Sequence, residues 1–131
     1  MLRLCYASAA FLVVISAASL ASAQTAFIEG HVFNKGTGVP LSGAAVRVFE
    51  NVTLGPLPVE LAAGITDANG FYQFEVDEFL GFPAIFEVVC ETATGEIRGG
   101  SSTLLREGSI RRDVYLEARR RLTRCQPIEP Q

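Results

Sequence analysis

From Ala26 to Ala118, apolar and polar residues alternate with a period of two, and bends rich in Gly, Asn and Pro interrupt the alternation. A period of two marks strands that bury one face. The clearest stretch is Gly64–Val76, GITDANGFYQFEV. Asp67 and Asn69 side chains can accept from nearby backbone N–H groups and Gly70 tolerates positive φ, so Thr66–Gly70 predicts the tight structural turn of a hairpin. Past the turn, Tyr72, Phe74 and Val76 share one face, and Phe71, Gln73 and Glu75 share the other. A lone hairpin is marginal in water and needs a second layer over its apolar face.

The remaining stretches supply that layer. Ala26–Phe33 sets Ile28, Gly30 and Val32 on one face, with Phe27, Glu29, His31 and Phe33 opposite. Val39–Gly43 then carries the chain across in a proline-containing, non-helical conformation. Ala44–Glu50 places Ala44, Val46 and Val48 inward and Arg47 and Phe49 outward. Asn51–Pro58, with two prolines and a glycine, reads as a loop or a poor edge strand. Val59–Thr66 has Leu61, Ala63 and Ile65 on one side. In the loop Asp77–Pro83, the apolar Phe79, Leu80 and Phe82 are expected to plug one end of the fold rather than form an exposed tip.

Ala84–Thr94 alternates Phe86, Val88 and Cys90 with Glu87 and Glu91. Thr94–Glu96 turns into the weak strand Ile97–Leu105, where Gly99-Gly100 marks a bulge or an edge position. Ser109–Ala118 sets Ile110, Val114 and Leu116 inward, and Arg111, Asp113, Tyr115 and Glu117 outward. No stretch sustains a helical period. Seven short strands separated by turns predict an all-β, seven-stranded antiparallel sandwich of Greek-key or immunoglobulin-like type.

The N-terminus alters this picture only by subtraction. Arg3, the apolar run Ala9–Leu20 and the Ala21-Ser22-Ala23 site before Gln24 read as a cleaved signal peptide over 1–23. The run falls short of the ~20 residues of a spanning helix, so no stable membrane anchor is expected. Cys5 precedes the apolar run, which argues against a lipoprotein. Export implies a periplasmic or extracellular location, with 24–118 as one sandwich domain and 119–131 as a basic, proline-containing tail. With Arg3 removed, 10 basic residues face 14 acidic ones, a balance that does not favour nucleic acid or anionic membranes. The local exception is Arg119-Arg120-Arg121 with Arg124, either a solvated tail or a docking or processing site.

Cys90 and Cys125 remain after the leader leaves. In an oxidising compartment they form either a disulfide or a buried free thiol with an unrelated tail cysteine. A bridge would close a loop of about 35 residues, worth roughly 3–4 kcal/mol on a loop-entropy model.

Three pieces of sequence resemble a known family: Gly30-His31-Val32 with Gly38–Val48 (GVPLSGAAVRV), Thr66–Phe74 (TDANGFYQF), and a last strand ending Asp113–Leu116 (DVYL). Together they are similar to the carboxypeptidase regulatory-like domain, a prealbumin-like sandwich related to Cna B-type repeats, and the likeness covers about Phe27–Leu116. The resemblance implies an accessory module without catalysis in an exported or surface protein. The chemistry of relatives does not carry over. Lys35 is the only lysine, Asn34, Asn51 and Asn69 are the only asparagines, and the last strand has none for an isopeptide bond. The chain has one histidine and no C-terminal Tyr-Arg-Gly-Ser, unlike transthyretin-like hydrolases, and sandwich dioxygenases need two His for iron.

Residue by residue, no catalytic or metal set assembles. His31 has no second histidine to share a zinc ion. Asp67, Asn69 and Asp77 lack the bidentate Glu of a calcium loop. Ser42, Ser101 and Ser102 have no activating histidine. Asn51-Val52-Thr53 fits a glycosylation sequon. The chain is therefore expected to be no enzyme and to need no cofactor.

The outward Phe27, Phe33, Phe49 and Phe71 would form an apolar stripe if their strands adjoin, and Phe79 and Phe82 extend the candidate interaction surface. Either the tail and the 51–58 loop cover the stripe, or it meets an unknown protein partner, with the chain a monomer or weak homodimer. The expected function is an exported module for protein binding or a structural accessory role. The alternative is a small-ligand carrier with a transthyretin-like cavity or an end pocket near Phe79–Phe82, and the absence of Trp weakens carbohydrate stacking for either.

Overall fold

In the computed structural model, the described residues are 25–50, 58–77, 79 and 81–126. The signal-peptide reading, Cys5, Leu80, the glycosylation sequon and nearly all of the 51–58 loop lie outside them. The described chain forms eight strands: β1 (Thr25–Asn34), β2 (Ala45–Glu50), β3 (Val59–Ile65), β4 (Phe71–Asp77), β5 (Pro83–Thr92), β6 (Gly95–Leu104), β7 (Gly108–Arg111) and β8 (Val114–Leu116).

They make two four-stranded sheets. One is ordered β4-β1-β7, with β8 also on β1, and the other β3-β2-β5-β6. The alternation read from the sequence is the alternation of burial. Ile28, Val32, Val46, Val48, Phe86 and Val88 all point into one core and are fully buried. Hydrophobic burial between the sheets is what holds two otherwise marginal layers together.

The expected hairpin is not a hairpin. The turn is where it was placed, but β3 and β4 belong to different sheets, so the chain crosses the sandwich there. Asp67 Oδ1 accepts from Asn69 N at 2.8 Å and Phe71 N at 3.0 Å, and Gly70 sits at φ 72°. A Cβ on Gly70 would lie 2.8 Å from Pro40 Cβ and 2.9 Å from the Val32 oxygen, so the 39–43 crossing rests on this turn. Buried Thr66 fastens the other side: its hydroxyl donates to the Leu41 oxygen at 2.8 Å and accepts from Ala44 N at 2.9 Å. Local turn chemistry is legible in sequence, whereas the partner of each flanking strand is a long-range outcome.

Three further expectations change. The sandwich is not antiparallel throughout, because β7 and β8 run parallel to β1. The single last strand is two pieces that keep one register, Glu29↔Arg111 and Val32↔Val114, broken at Arg112-Asp113. In β3 the register shifts opposite Val48/Phe49, so Ala62 and Gly64 pair with inward Val48 and Val46, while Ala63 and Ile65 turn outward. Leu61 still packs on the core, so Leu61, Ala63 and Ile65 do not share a side. Of the two readings of Gly99-Gly100, the edge position holds: β6 ends its sheet and its pairing with β5 runs unbroken through both glycines.

Residues 119–126 are not a loose tail. Cys90 and Cys125 are bridged, with an S–S distance of 2.00 Å. Cys125 N donates to the Ser42 oxygen and Gln126 N to the Glu91 oxygen, both at 2.7 Å. Buried Asn34 donates through Nδ2 to the carbonyls of Arg119 at 2.8 Å and Leu122 at 3.2 Å.

Candidate functional site

The outer face of the β4-β1-β7/β8 sheet follows directly from register. On β1 the outward residues are Phe27, Glu29, His31 and Phe33. Phe27 lies between Glu75 and Ser109, Glu29 between Gln73 and Arg111, and His31 beside Phe71 on β4. Phe33 pairs with Tyr115 on β8. The face is thus a grid whose upper half is aromatic and whose lower half mixes charge with a single Phe27.

The aromatic half is in ring-to-ring contact. His31 lies 5.6 Å from Phe33 and 5.3 Å from Phe71 between ring centroids, and Phe33 lies 5.3 Å from Tyr115. Such spacings are those of favourable aromatic pairs. Tyr115 is 56% exposed and Phe27 46%, while Phe33, Phe71 and His31 are half-buried.

Asp113 holds the row from one side. Its Oδ1 accepts from the His31 backbone N at 2.9 Å and lies 3.9 Å from His31 Nδ1, and its Oδ2 lies 3.6 Å from Arg111 Nε. The His31 ring is therefore flanked by a carboxylate and a guanidinium on an apolar shelf. A shallow hollow of about 250 Å³, lined by Phe27, Glu29, Gln73 and Ser109, sits beside Phe27.

The predicted surface residues divide. Phe33 and Phe71 are brought together by the grid, and Phe27 is set apart from them by the Glu29 row. Phe49 is on β2, in the other sheet, where the Arg47 guanidinium stands 4.8 Å above its ring. Hence the four phenylalanines do not form one stripe. Phe79 is 8% exposed and joins the core, as an end plug should, and Phe82 is half-buried. Glu50 is buried beside that plug, and its Oε2 accepts from Phe82 N at 3.1 Å.

Tyr115, Arg111 and Asp113 were legible as outward positions, but only the parallel register with β1 joins them to His31 and Phe33. Asn34 gave no signal in sequence, since its role depends on carbonyls more than eighty residues away.

The opposite outer face mixes charge with exposed aliphatic Ile65 and Ile85. Glu60, Arg47, Glu87, Arg98 and Glu96 alternate in sign across it, with Arg47 Nε–Glu60 Oε1 at 2.8 Å and Arg98 Nε–Glu96 Oε1 at 2.6 Å. The Arg98 hydrogen bond holds the Glu96 carboxyl below its usual range. Exposed pairs of this kind contribute little stability.

Among the described residues no group of three or more His, Cys, Asp or Glu side chains converges as a metal site, and no helix is long and apolar enough to cross a membrane. The end pocket of the carrier reading falls on the Phe79–Phe82 loop, of which Leu80 lies outside the described residues. An open cleft of about 480 Å³ opens where β5 turns into β6, against residues 117–122, at the far end of β5 from that loop.

Two facing sheets, one with an aromatic outer surface and one whose outer surface mixes charged and aliphatic residues, define an all-β sandwich. No protein-family model matches the chain, and no curated protein matches it. Among solved structures it is similar to a 9R-lipoxygenase from Cyanothece PCC8801, at 16% identity and a TM-score of 0.46 over 72% of this chain. The chain spans 16% of the length of that protein. Likeness at this level bears on neither activity nor family.

Proposed function

We propose that the chain is an exported, non-catalytic β-sandwich module that docks a protein partner through the outer face of the β4-β1-β7/β8 sheet. The observation that carries this is the contiguous row Phe71, His31, Phe33 and Tyr115, which lies on the outside of the sandwich and ends in a tyrosine 56% exposed. Aromatic groups with a charged rim are the composition of binding patches rather than of ordinary protein surface. Arg111 and Asp113 supply that rim.

The carboxypeptidase regulatory-like reading fits this role. If β7 and β8 are one strand interrupted at Arg112-Asp113, seven strands remain for a Greek-key order, and 24–118 form the module with 119–126 strapped across it. The Cys90–Cys125 bridge is compatible with an oxidising compartment. A leader over 1–23 completes the reading, and N-terminal sequencing of protein from its host should begin at Gln24. A chain that retains Met1 would remove export from the proposal.

The docking face is tested by a photo-reactive phenylalanine analogue placed at Tyr115 and, separately, at Arg98 on the charged face, with adducts formed in the native host and identified by mass spectrometry. One discrete protein adduct at position 115 and none at 98 is the expected result. No adduct at 115, or the same adducts at both positions, overturns it.

A further inference from the structure

The cleft at the β5–β6 turn has a composition distinct from the rest of the surface. Its floor is apolar: Ile97 and Leu122 are half-buried and pack on the core, with Ala93 and Ala118 beside them. Its volume of about 480 Å³ is in the range of small-molecule sites, ~300–1,000 Å³.

The charges around it are unevenly paired. Two acids line it, and both are already engaged: Glu96 Oε1 lies 2.6 Å from Arg98 Nε, and Glu117 Oε1 lies 3.3 Å from Lys35 Nζ. Two arginines line it as well, Arg119 and Arg121, and among the described residues neither guanidinium has a carboxylate partner. What the rim offers an anion is this pair of guanidiniums without a carboxylate partner, in a chain of formal net charge −3. A guanidinium presents a planar fork of donors matched to a carboxylate.

The wall that carries these arginines is fixed rather than free. Asn34 Nδ2 holds the carbonyls of Arg119 and Leu122, Leu122 N donates to the Arg119 oxygen at 2.9 Å, and Cys125 is bridged to Cys90 just beyond. Such a wall holds the backbone that carries the arginines at little ordering cost.

We infer that this cleft binds a small amphipathic carboxylate, its apolar body over Ile97 and Leu122 and its carboxylate against Arg119 and Arg121. The site is separate from the aromatic face and does not rest on the docking role.

The test uses the full-length, disulfide-bonded protein and decanoate below its micelle concentration, followed by amide chemical shifts and calorimetry, with decanol and decylammonium as neutral and cationic counterparts. Decanoate should shift the amides of Thr94, Gly95, Ile97 and Leu122. The two counterparts should bind at least about tenfold more weakly, as should decanoate to the Arg119→Gln/Arg121→Gln variant, a loss typical of a charge-assisted hydrogen bond. An unchanged unfolding midpoint shows that this surface variant remains folded. The inference is overturned if decanol or decylammonium binds as tightly, if the variant binds like the parent, if the shifts centre on Phe33 and Tyr115, if the chain dimerises in place of binding, or if no binding occurs up to millimolar concentration.

Discussion

The break at Arg112-Asp113 is explained by two residues on neighbouring strands, Gly30 and Tyr72. Gly30 lies in β1 where a Cβ would overlap the Arg112 carbonyl oxygen, and the Tyr72 hydroxyl, on the strand paired with Gly30, donates to that same oxygen. Arg112 N donates in turn to the Glu29 oxygen at 2.9 Å. A glycine, a tyrosine and an interrupted strand thus form one unit, and Gly30→Ala should lower stability by about 3 kcal/mol or more, read by urea unfolding. Burial raises the Tyr72 phenol above its ordinary value of 10.0. The folded chain therefore keeps this proton at a pH where the unfolded chain loses it. The contribution of this group to stability is constant below about pH 10 and falls above it, with a slope approaching ~1.4 kcal/mol per pH unit. Tyr72→Phe should abolish that alkaline slope while costing about 1 kcal/mol at neutral pH for the lost hydrogen bond. A slope that persists in Tyr72→Phe would assign it to another group.

Among the elements, the C-terminal segment follows the disulfide reading of the two that Cys90 and Cys125 left open. The four arginines after the last strand are exposed, while the backbone of 119–126 is sewn to β1, the 39–43 crossing and β5 through Asn34, Ser42, Glu91 and the disulfide. The bridge joins positions separated by 35 residues, so Cys125→Ser, or reduction, should remove about 3–4 kcal/mol on the loop-entropy account. Because Cys125 is buried, the variant also tests whether the segment stays docked: protease should cut near Arg121 and Arg124 only once the bridge is gone. Element identity was largely legible in sequence, since Ile28, Val46, Phe86 and Leu116 each fell on the inward phase and each is buried. What escaped was which element meets which. The Asp67–Gly70 turn has the same Asx chemistry whether it closes a hairpin or crosses between layers. The bulge at Leu61 leaves no mark in a run as bland as Leu-Ala-Ala-Gly.

At the scale of the molecule, the two outer surfaces differ in kind, and only one was half legible. Phe33 and Phe71 were placed outward from their alternation, but a face is a property of strand order, and strand order sends Phe49 to the opposite side. The same order makes β1 the centre of its sheet, with β4 on one flank and the last strands on the other. A chain ended after Leu105 keeps the β3-β2-β5-β6 sheet in sequence but loses everything on that second flank. It should show no cooperative unfolding transition, and a sharp transition in that fragment would contradict this dependence. Pairings so distant in the chain also slow folding. The consequence concerns timing: as the polypeptide emerges from the ribosome amino end first, its earliest strand must wait, half-clad, for its latest. Until β7 and β8 have been made, one whole flank of β1 has no backbone partner, so this sheet closes only after the other sheet's strands are complete.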